Sequence, residues 1–444
     1  MREKDTKKLL IVTTSFFPEN AIGAVRISNL AKYLSREFES VHVICPQIND
    51  ASFKDLTISL DSTDNLFIYR TEYSFLFRQI KYLRDMFVGN RNPAEFIGIK
   101  PKKKSIMQSL KQHISKFIFN QFVILKNEDF LASSIKNYKK LTKSFEFDYL
   151  LTSYPSYASH KAGLRIKKIS KNIKWIADFR DPMIYESIDH FKFFKKLQRN
   201  ILHNADTILS ISNGVKLALI RDNPSAEVEV IHNGYDDPPL LKKTNAIEDR
   251  YINFCYVGTL YGGKRDLSRL FIVLNEFLLK HKASKDKLRF HYAGSDFDTL
   301  FSQAQMFGIE EILINHGKVT RAESLNIQAT CDFITVATWN SRFEQGILTG
   351  KVFEAFMLKK PLIGIVTGDL ENSELKSIVH ECDAGIVLED SFCNDVDKER
   401  ILSSLYETLR IKENPTSKIH ASIFKYNVDL FHYKNICKKL VNKI

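Results

Sequence analysis

The chain has 444 residues, more than one compact core usually holds and enough for two domains. Hydrophobic residues make up 44% and charged residues 26%, which excludes disorder as the default, and the six scattered cysteines form no Cys-x-x-Cys pair, so neither a zinc site nor a disulfide framework is expected and a reducing cytoplasm fits. The net charge of +13 favours an anionic partner: acidic lipid, a phosphorylated substrate or nucleic acid.

The N-terminus carries no pattern of a secretory signal and runs directly into Leu9 to Thr13, which reads as a buried strand. A loop with Pro18 and Gly23 follows, then a helix expected from about Val25 to Phe38, with Ile27, Leu30, Ala31 and Leu34 on its apolar face. Val41 to Cys45 is the next strand. Further strands are expected at 149–152, 175–178, 207–210 and 228–231, with helices between several of them. That alternation implies a parallel, doubly wound sheet.

The stretch from about 75 to 145 breaks the rhythm and reads as a helical insertion. It holds 15 Lys and Arg against 4 Asp and Glu, mixed with Phe, Ile and Leu. The alternative is a solvated lysine-rich helical face. No run of about 18 apolar residues occurs anywhere, so no membrane-spanning helix is expected.

Around 236–245 two prolines and many polar residues suggest a linker. Strand candidates then restart at 253–258 and recur at 288–294, 312–316, 333–338, 361–366 and 385–388, separated by helical stretches. The expected fold class is therefore α/β, with two Rossmann-like doubly wound domains facing a cleft. Their expected limits are 1–238 and 248–420, with a terminal helix in 421–444 packing back on the first. In such sheets ligands sit at the carboxyl ends of the strands, near the switch point.

Three loops fit that placement. In the first, Gly23 offers a permissive backbone before a helix N-terminus, and Arg26 a charged donor; an ordinary strand-to-helix turn is the alternative. It is not Gly-x-Gly-x-x-Gly, so a dinucleotide fingerprint is absent. In the second, Gly258-Thr-Leu-Tyr-Gly-Gly-Lys264-Arg265 joins glycines to two cations suited to a diphosphate, or is merely an exposed turn. In the third, Gly346, Thr349 and Gly350 lie where a helix begins, so free N–H groups would face an anion. Lys351 and Glu354 are three residues apart and share a face. Glu354 can accept both hydroxyls of a ribose, or simply pair with Lys351.

Asp178, Arg180 and Asp181 follow a strand of the first domain, where an acidic pair could orient or deprotonate an acceptor hydroxyl; a salt-bridged turn is the alternative. His160 is a weaker acid–base candidate. Asp296-Phe-Asp298 is formally Asp-x-Asp, and is expected to cap the next helix and hold no metal.

Taken together, Gly-Lys351-Val-Phe-Glu354-Ala-Phe, Lys360-Pro361-Leu-Ile-Gly364 and Ile231-His-Asn-Gly-Tyr-Asp236 resemble the GT-B glycosyltransferases, the large retaining family 4 and its relatives. Trp175-Ile-Ala-Asp-Phe-Arg-Asp-Pro182 and Thr152-Ser-Tyr-Pro-Ser-Tyr-Ala-Ser-His160 resemble a subgroup associated with surface polysaccharides, capsule and lipopolysaccharide among them. The resemblance implies a donor ribose on Glu354 and a diphosphate on Lys264. It departs at Gly346, where relatives carry the first Glu of Glu-x7-Glu, Glu344 being displaced by two. It departs again at Gly258-Thr259, where relatives have Gly-Arg.

The function expected is a metal-independent, retaining transferase of hexosyl type. It would move a sugar from a nucleotide-sugar donor, UDP-sugar favoured, to a glycan or lipid-linked acceptor. Asp178, Asp181 and His160 are the expected catalytic residues, with Glu354, Lys264, Arg265, Gly350, Lys351, Thr349 and Gly258 on the donor and Gly23 and Arg26 on the acceptor or a phosphate. The nucleotide-sugar is a substrate, so no cofactor is expected. The basic 75–145 segment would rest on an anionic membrane surface, placing the chain in the cytoplasm or peripherally on the inner membrane face, and nucleic acid is not expected as a partner. A sugar-nucleotide epimerase of the same fold and a catalytically degenerate scaffold subunit are the rival readings.

Overall fold

A computed structural model describes residues 5–19, 22–48, 60, 64–88, 106–154, 156–183, 191–241, 247–280, 287–391, 395–414 and 424–444. The chain divides into two compact units. The first comprises Met1–Ile211, Val215–His232 and Cys437–Ile444, the second Ser212–Gly214 and Asn233–Ile436.

The first sheet is built from β1 (Asp5–Thr13), then helix α1 (Ile22–Leu34), β2 (Phe38–Pro46) and β3 (Leu66–Thr71). Helices α2 (Phe75–Val88) and α3 (Ile106–Leu141) follow. After them come β4 (Tyr149–Ser153), α4 (Tyr157–Ile169), β5 (Lys174–Phe179), α5 (Phe191–Asn204), β6 (Thr207–Ser210), α6 (Asn213–Asp222) and β7 (Val228–Val230). The strand order is β3-β2-β1-β4-β5-β6-β7, and every pairing is parallel. The central strands are continuous apolar runs because helices cover both faces: Leu9 to Val12 and Leu150 to Leu151 are fully buried.

Two expectations change here. α1 starts before Val25 and ends at Leu34, because Phe38 already belongs to β2. Gly23 therefore sits buried in the first turn of the helix rather than in a free loop. Strand β3 was not expected at all; it is an edge strand with Phe67 and Ile68 partly exposed, so it lacks the buried apolar run that marks its neighbours.

The second unit repeats the plan with β8 (Ile252–Val257), α7 (Ser268–Lys280), β9 (Leu288–Ala293), α8 (Phe297–Gln305), β10 (Leu313–Asn315) and α9 (Arg321–Thr330). It continues through β11 (Phe333–Trp339), α10 (Gly350–Leu358), β12 (Leu362–Thr367), α11 (Glu374–Glu381), β13 (Gly385–Glu389) and α12 (Asp395–Glu413); the terminal α13 (Tyr433–Val441) starts in this unit and belongs to the first from Cys437 on. The order β10-β9-β8-β11-β12-β13 is again all parallel and reverses between β8 and β11. Loops leaving the carboxyl ends of those two strands line the crevice that such a reversal opens. They are the Gly258 loop and the loop into α10.

Candidate functional site

In the second unit the Gly258 loop needs glycine for its backbone, not for space. Gly258, Gly262 and Gly263 have φ of +135°, +64° and +92°, and a Cβ on any of them would meet nothing within 4 Å. Tyr261, between them, takes φ +49° despite its side chain. Three braces hold the loop. Tyr292 donates its hydroxyl to Gly258 O at 3.1 Å, and accepts the Asp296 N–H at 2.8 Å. The Asp296 carboxylate then accepts the Leu260 N–H at 2.6 Å. The Asp296 side chain makes no capping bond to α8, so the expected cap is replaced by a brace on the loop. Thr367, at the end of β12, donates to Lys264 O at 2.7 Å.

Those braces place the two cations on an aromatic platform that the sequence reading missed. Lys264 Nζ lies 5.0 Å from the Trp339 ring centre, and the Arg265 guanidinium 4.4 Å from Tyr261 and 5.8 Å from Trp339. The two rings are 6.0 Å apart. Glu344 closes the group: one carboxylate oxygen accepts the Trp339 indole N–H at 2.8 Å and meets Lys264 Nζ at 3.3 Å. Trp339 is one of only two tryptophans and ends β11 at the switch point, which is the signal that could have marked it.

α10 begins at Gly350 with Thr349 as its N-cap residue. A Cβ on Gly350 would meet nothing within 4 Å, so the helix N-terminus is open on that side. The Thr349 hydroxyl is shielded and has no hydrogen-bond partner among the described residues. Gly346 is different: its φ of +66° and the 2.5 Å from a Cβ to Gly214 N leave room only for glycine. One turn into α10, Glu354 is largely buried. Its Oε2 accepts Lys351 Nζ at 2.8 Å and Gln328 Nε2 at 2.9 Å, while Oε1 lies 3.8 Å from Arg321 Nη2, too far for a hydrogen bond. Burial opposes its ionisation, but the Lys351 and Arg321 charges outweigh that and hold the carboxyl below its usual range.

In the first unit, Arg26 and Asp178 form one buried fork. Arg26 Nε and Nη2 donate to the two Asp178 oxygens at 3.1 and 2.8 Å, and its Nη1 and Nη2 also donate to His232 O and Ile231 O at 2.8 and 3.0 Å. Ser153 adds a bond to Asp178 at 2.8 Å. Asp178 has no exposed surface and Arg26 almost none. Burial opposes the Asp178 charge, and Arg26 overcomes it, so the pKa falls. This pair ties α1 to β5 and to the segment after β7, and neither member faces solvent.

His160 is equally enclosed, between Phe179 and Tyr154, with Nδ1 2.7 Å from the Thr152 hydroxyl. Burial drives its pKa down to about 3, so the ring is neutral. Asp181 alone of the three keeps an exposed face, although crowding around its carboxyl outweighs the nearby Arg180 charge and raises its pKa.

Asp236, Asp237 and His432 bring their ligand atoms within 4.8 Å of one another. His432 Nδ1 accepts the Lys434 N–H at 3.1 Å, which leaves the ring proton on Nε2, facing Asp237 at 3.3 Å. The cluster is thus hydrogen-bonded through the nitrogen a cation would need.

No family model matches the chain, and no curated protein matches it. Solved structures do. The sucrose-phosphate synthase of Thermosynechococcus elongatus is 11% identical over 98% of each chain, with a TM-score of 0.57. The N-terminal domain of Candida albicans trehalose-6-phosphate phosphatase is 13% identical over 100% of this chain and 97% of its own, also at 0.57. The α,α-trehalose 6-phosphate synthase of Burkholderia multivorans is 9% identical over 99% and 96%, at 0.56. The chain has the GT-B fold. At these identities the likeness is one of fold, and it places the β8–β11 reversal in the second Rossmann-like unit of a GT-B chain.

Proposed function

We propose that this GT-B chain is a glycosyltransferase whose second unit holds a nucleotide-sugar donor, UDP-sugar favoured. The observation that carries this reading is the cation pair Lys264 and Arg265 set over Trp339 and Tyr261, on a glycine loop that leaves β8 beside β11, the strand whose following loop leads to the open N-terminus of α10. A diphosphate suits that group. The Lys264–Glu344 pair is exposed and worth about 0–1 kcal/mol. A charge-assisted bond to phosphate contributes about 1.5–3 kcal/mol, so the ligand would draw Lys264 away from Glu344. The shielded Thr349 hydroxyl and the α10 N–H groups supply neutral donors for the same anion. The Oε1 atom of Glu354 is the acceptor for a ribose hydroxyl, with Lys351 and Gln328 fixing its partner oxygen. These donors stabilise the departing diphosphate without a metal.

The acceptor, a glycan or a lipid-linked sugar of surface polysaccharide synthesis, belongs to the first unit. Of the candidate groups there, Asp181 is the one with an exposed carboxylate, while Asp178, Arg26 and His160 are buried. Transfer proceeds with retention, and the basic 75–145 segment brings the chain to anionic lipid. No described helix is long and apolar enough to cross a membrane.

The test is a panel of UDP-, GDP- and other nucleotide-activated sugars, read by thermal shift and by nucleotide release with and without lipid-linked acceptors. Stabilisation by one nucleotide class, lost in Lys264→Ala, with release only when acceptor is present, is the expected result. Folded protein that no donor stabilises would end the transferase reading in favour of a scaffold.

A further inference from the structure

The basic 75–145 segment is not an isolated patch. α2 packs on α3 through Phe77 and Phe122, whose rings are 5.0 Å apart, and through the Ser74 N–H, which donates to Asp129 at 3.0 Å. At 100° per residue, Phe75, Leu76, Tyr82 and Leu83 fall on the opposite side of α2 from Phe77. All four are exposed, between 50 and 71%. Such a row of large apolar side chains on one short helix is too contiguous for an ordinary wet surface.

α5 lies beyond α4 on the same run of helices. Its sequence, Phe-Lys-Phe-Phe-Lys-Lys-Leu-Gln-Arg-Asn-Ile-Leu-His-Asn, holds four Lys and Arg and no acidic residue. Lys192 and Lys196 are four apart, so they share an exposed face with half-exposed Phe193 beside them. Tyr157 of α4 joins this face to α3. Its ring meets Phe193 edge-on at 6.2 Å, and its hydroxyl donates to Glu128 of α3 at 3.1 Å. Glu128 is itself neutralised by Lys161 at 2.7 Å.

We infer that α2 and α5 together form one docking surface for an anionic lipid bilayer, with Phe75, Leu76, Tyr82 and Leu83 entering the interface and Lys192 and Lys196 meeting lipid headgroups. The inference rests on the membrane reading of the 75–145 segment and extends it to a helix outside that segment. Apolar side chains at headgroup depth flanked by cations are what an in-plane interfacial helix requires, and a lipid surface satisfies both at once. Nucleic acid would match the cations but leave the four apolar residues in water.

Flotation of the full chain with vesicles of phosphatidylcholine, alone or with about one-third phosphatidylglycerol, tests this. Wild type is expected to float with the anionic vesicles only, and Leu76→Ser/Leu83→Ser to lose binding. Lys192→Gln/Lys196→Gln should weaken binding about 25-fold at low salt, about five-fold per cation. Equal charge loss on α12, Arg400→Gln/Arg410→Gln, should leave it unchanged. Wild type that fails to float sinks the membrane reading and this inference together. Wild type that floats, with the α5 variant floating equally or the α12 variant equally impaired, overturns the α5 surface alone. Nucleotide thermal shifts unchanged in every variant keep the donor reading separate.

Discussion

At the scale of single residues, the geometry separates side chains that are free to meet a ligand from those already spent on the fold. Lys264 and Glu344 are exposed partners, cheap to part. Glu344→Gln keeps an acceptor for the Trp339 indole and removes the anion that competes for Lys264. It should tighten nucleoside diphosphate binding by about three- to ten-fold, whereas Lys264→Ala should weaken it by about ten-fold or more, both read by calorimetric titration. Weaker binding in Glu344→Gln would show that the carboxylate serves the ligand directly. Arg26 and Asp178 behave oppositely. Removing one partner strands the other charge without solvent, so Arg26→Met should cost about 3–5 kcal/mol in urea unfolding. A loss under about 1 kcal/mol would mean that water reaches the pair.

Among elements, the loop after β8 depends on a neighbouring strand and turn. The Asp296 carboxylate and Tyr292 hydroxyl hold a backbone in which Tyr261 and three glycines all have positive φ. Asp296→Ala leaves the Leu260 N–H without its acceptor, at about 1–3 kcal/mol, and lets the cation platform drift. Nucleotide affinity should fall more than thermal stability does, because the loop is a surface element and the β8–β9 ladder stays intact. Equal falls in both would indicate that Asp296 supports the unit rather than the loop.

For the molecule as a whole, the histidines buried among the described residues, His42, His160 and His291, weaken the fold in acid. Burial brings His42 to about 4, His160 to about 3 and His291 to about 4, with Lys8 adding to the first and His316 and Arg289 to the last, while Asp178 opposes the shift at His160. Their folded pKa values lie below the unfolded value of about 6.5, so the unfolded chain binds more protons between those limits. Stability is therefore fully present above pH ~6.5 and lost as the pH falls through 6 toward 4. Asp178 and Glu354, both held below the ordinary range, continue the loss at lower pH. Urea midpoints from pH 8 to 4 check this, and His42→Phe, which keeps the aromatic box around the ring, should flatten the profile.

By itself the sequence determined the two parallel sheets, since the central strands are apolar runs in helix-spaced order, and it marked the glycine–cation loop and the start of α10. Local chemistry is enough for those features: a buried strand must be apolar on both faces, and a left-handed turn favours glycine. It did not mark β3, whose edge position removes the apolar signal, nor the true start of α1, which moved Gly23 into a helix. Only the tertiary structure decided that Arg26 is spent on Asp178, 152 residues away, that Asp296 braces Leu260 instead of capping α8, and that Trp339, Tyr261 and Glu344 surround Lys264. The physical reason is common to all of them. A charged or polar side chain reads the same in sequence whether it is solvated or paired, and only the fold supplies the partner that makes it one or the other.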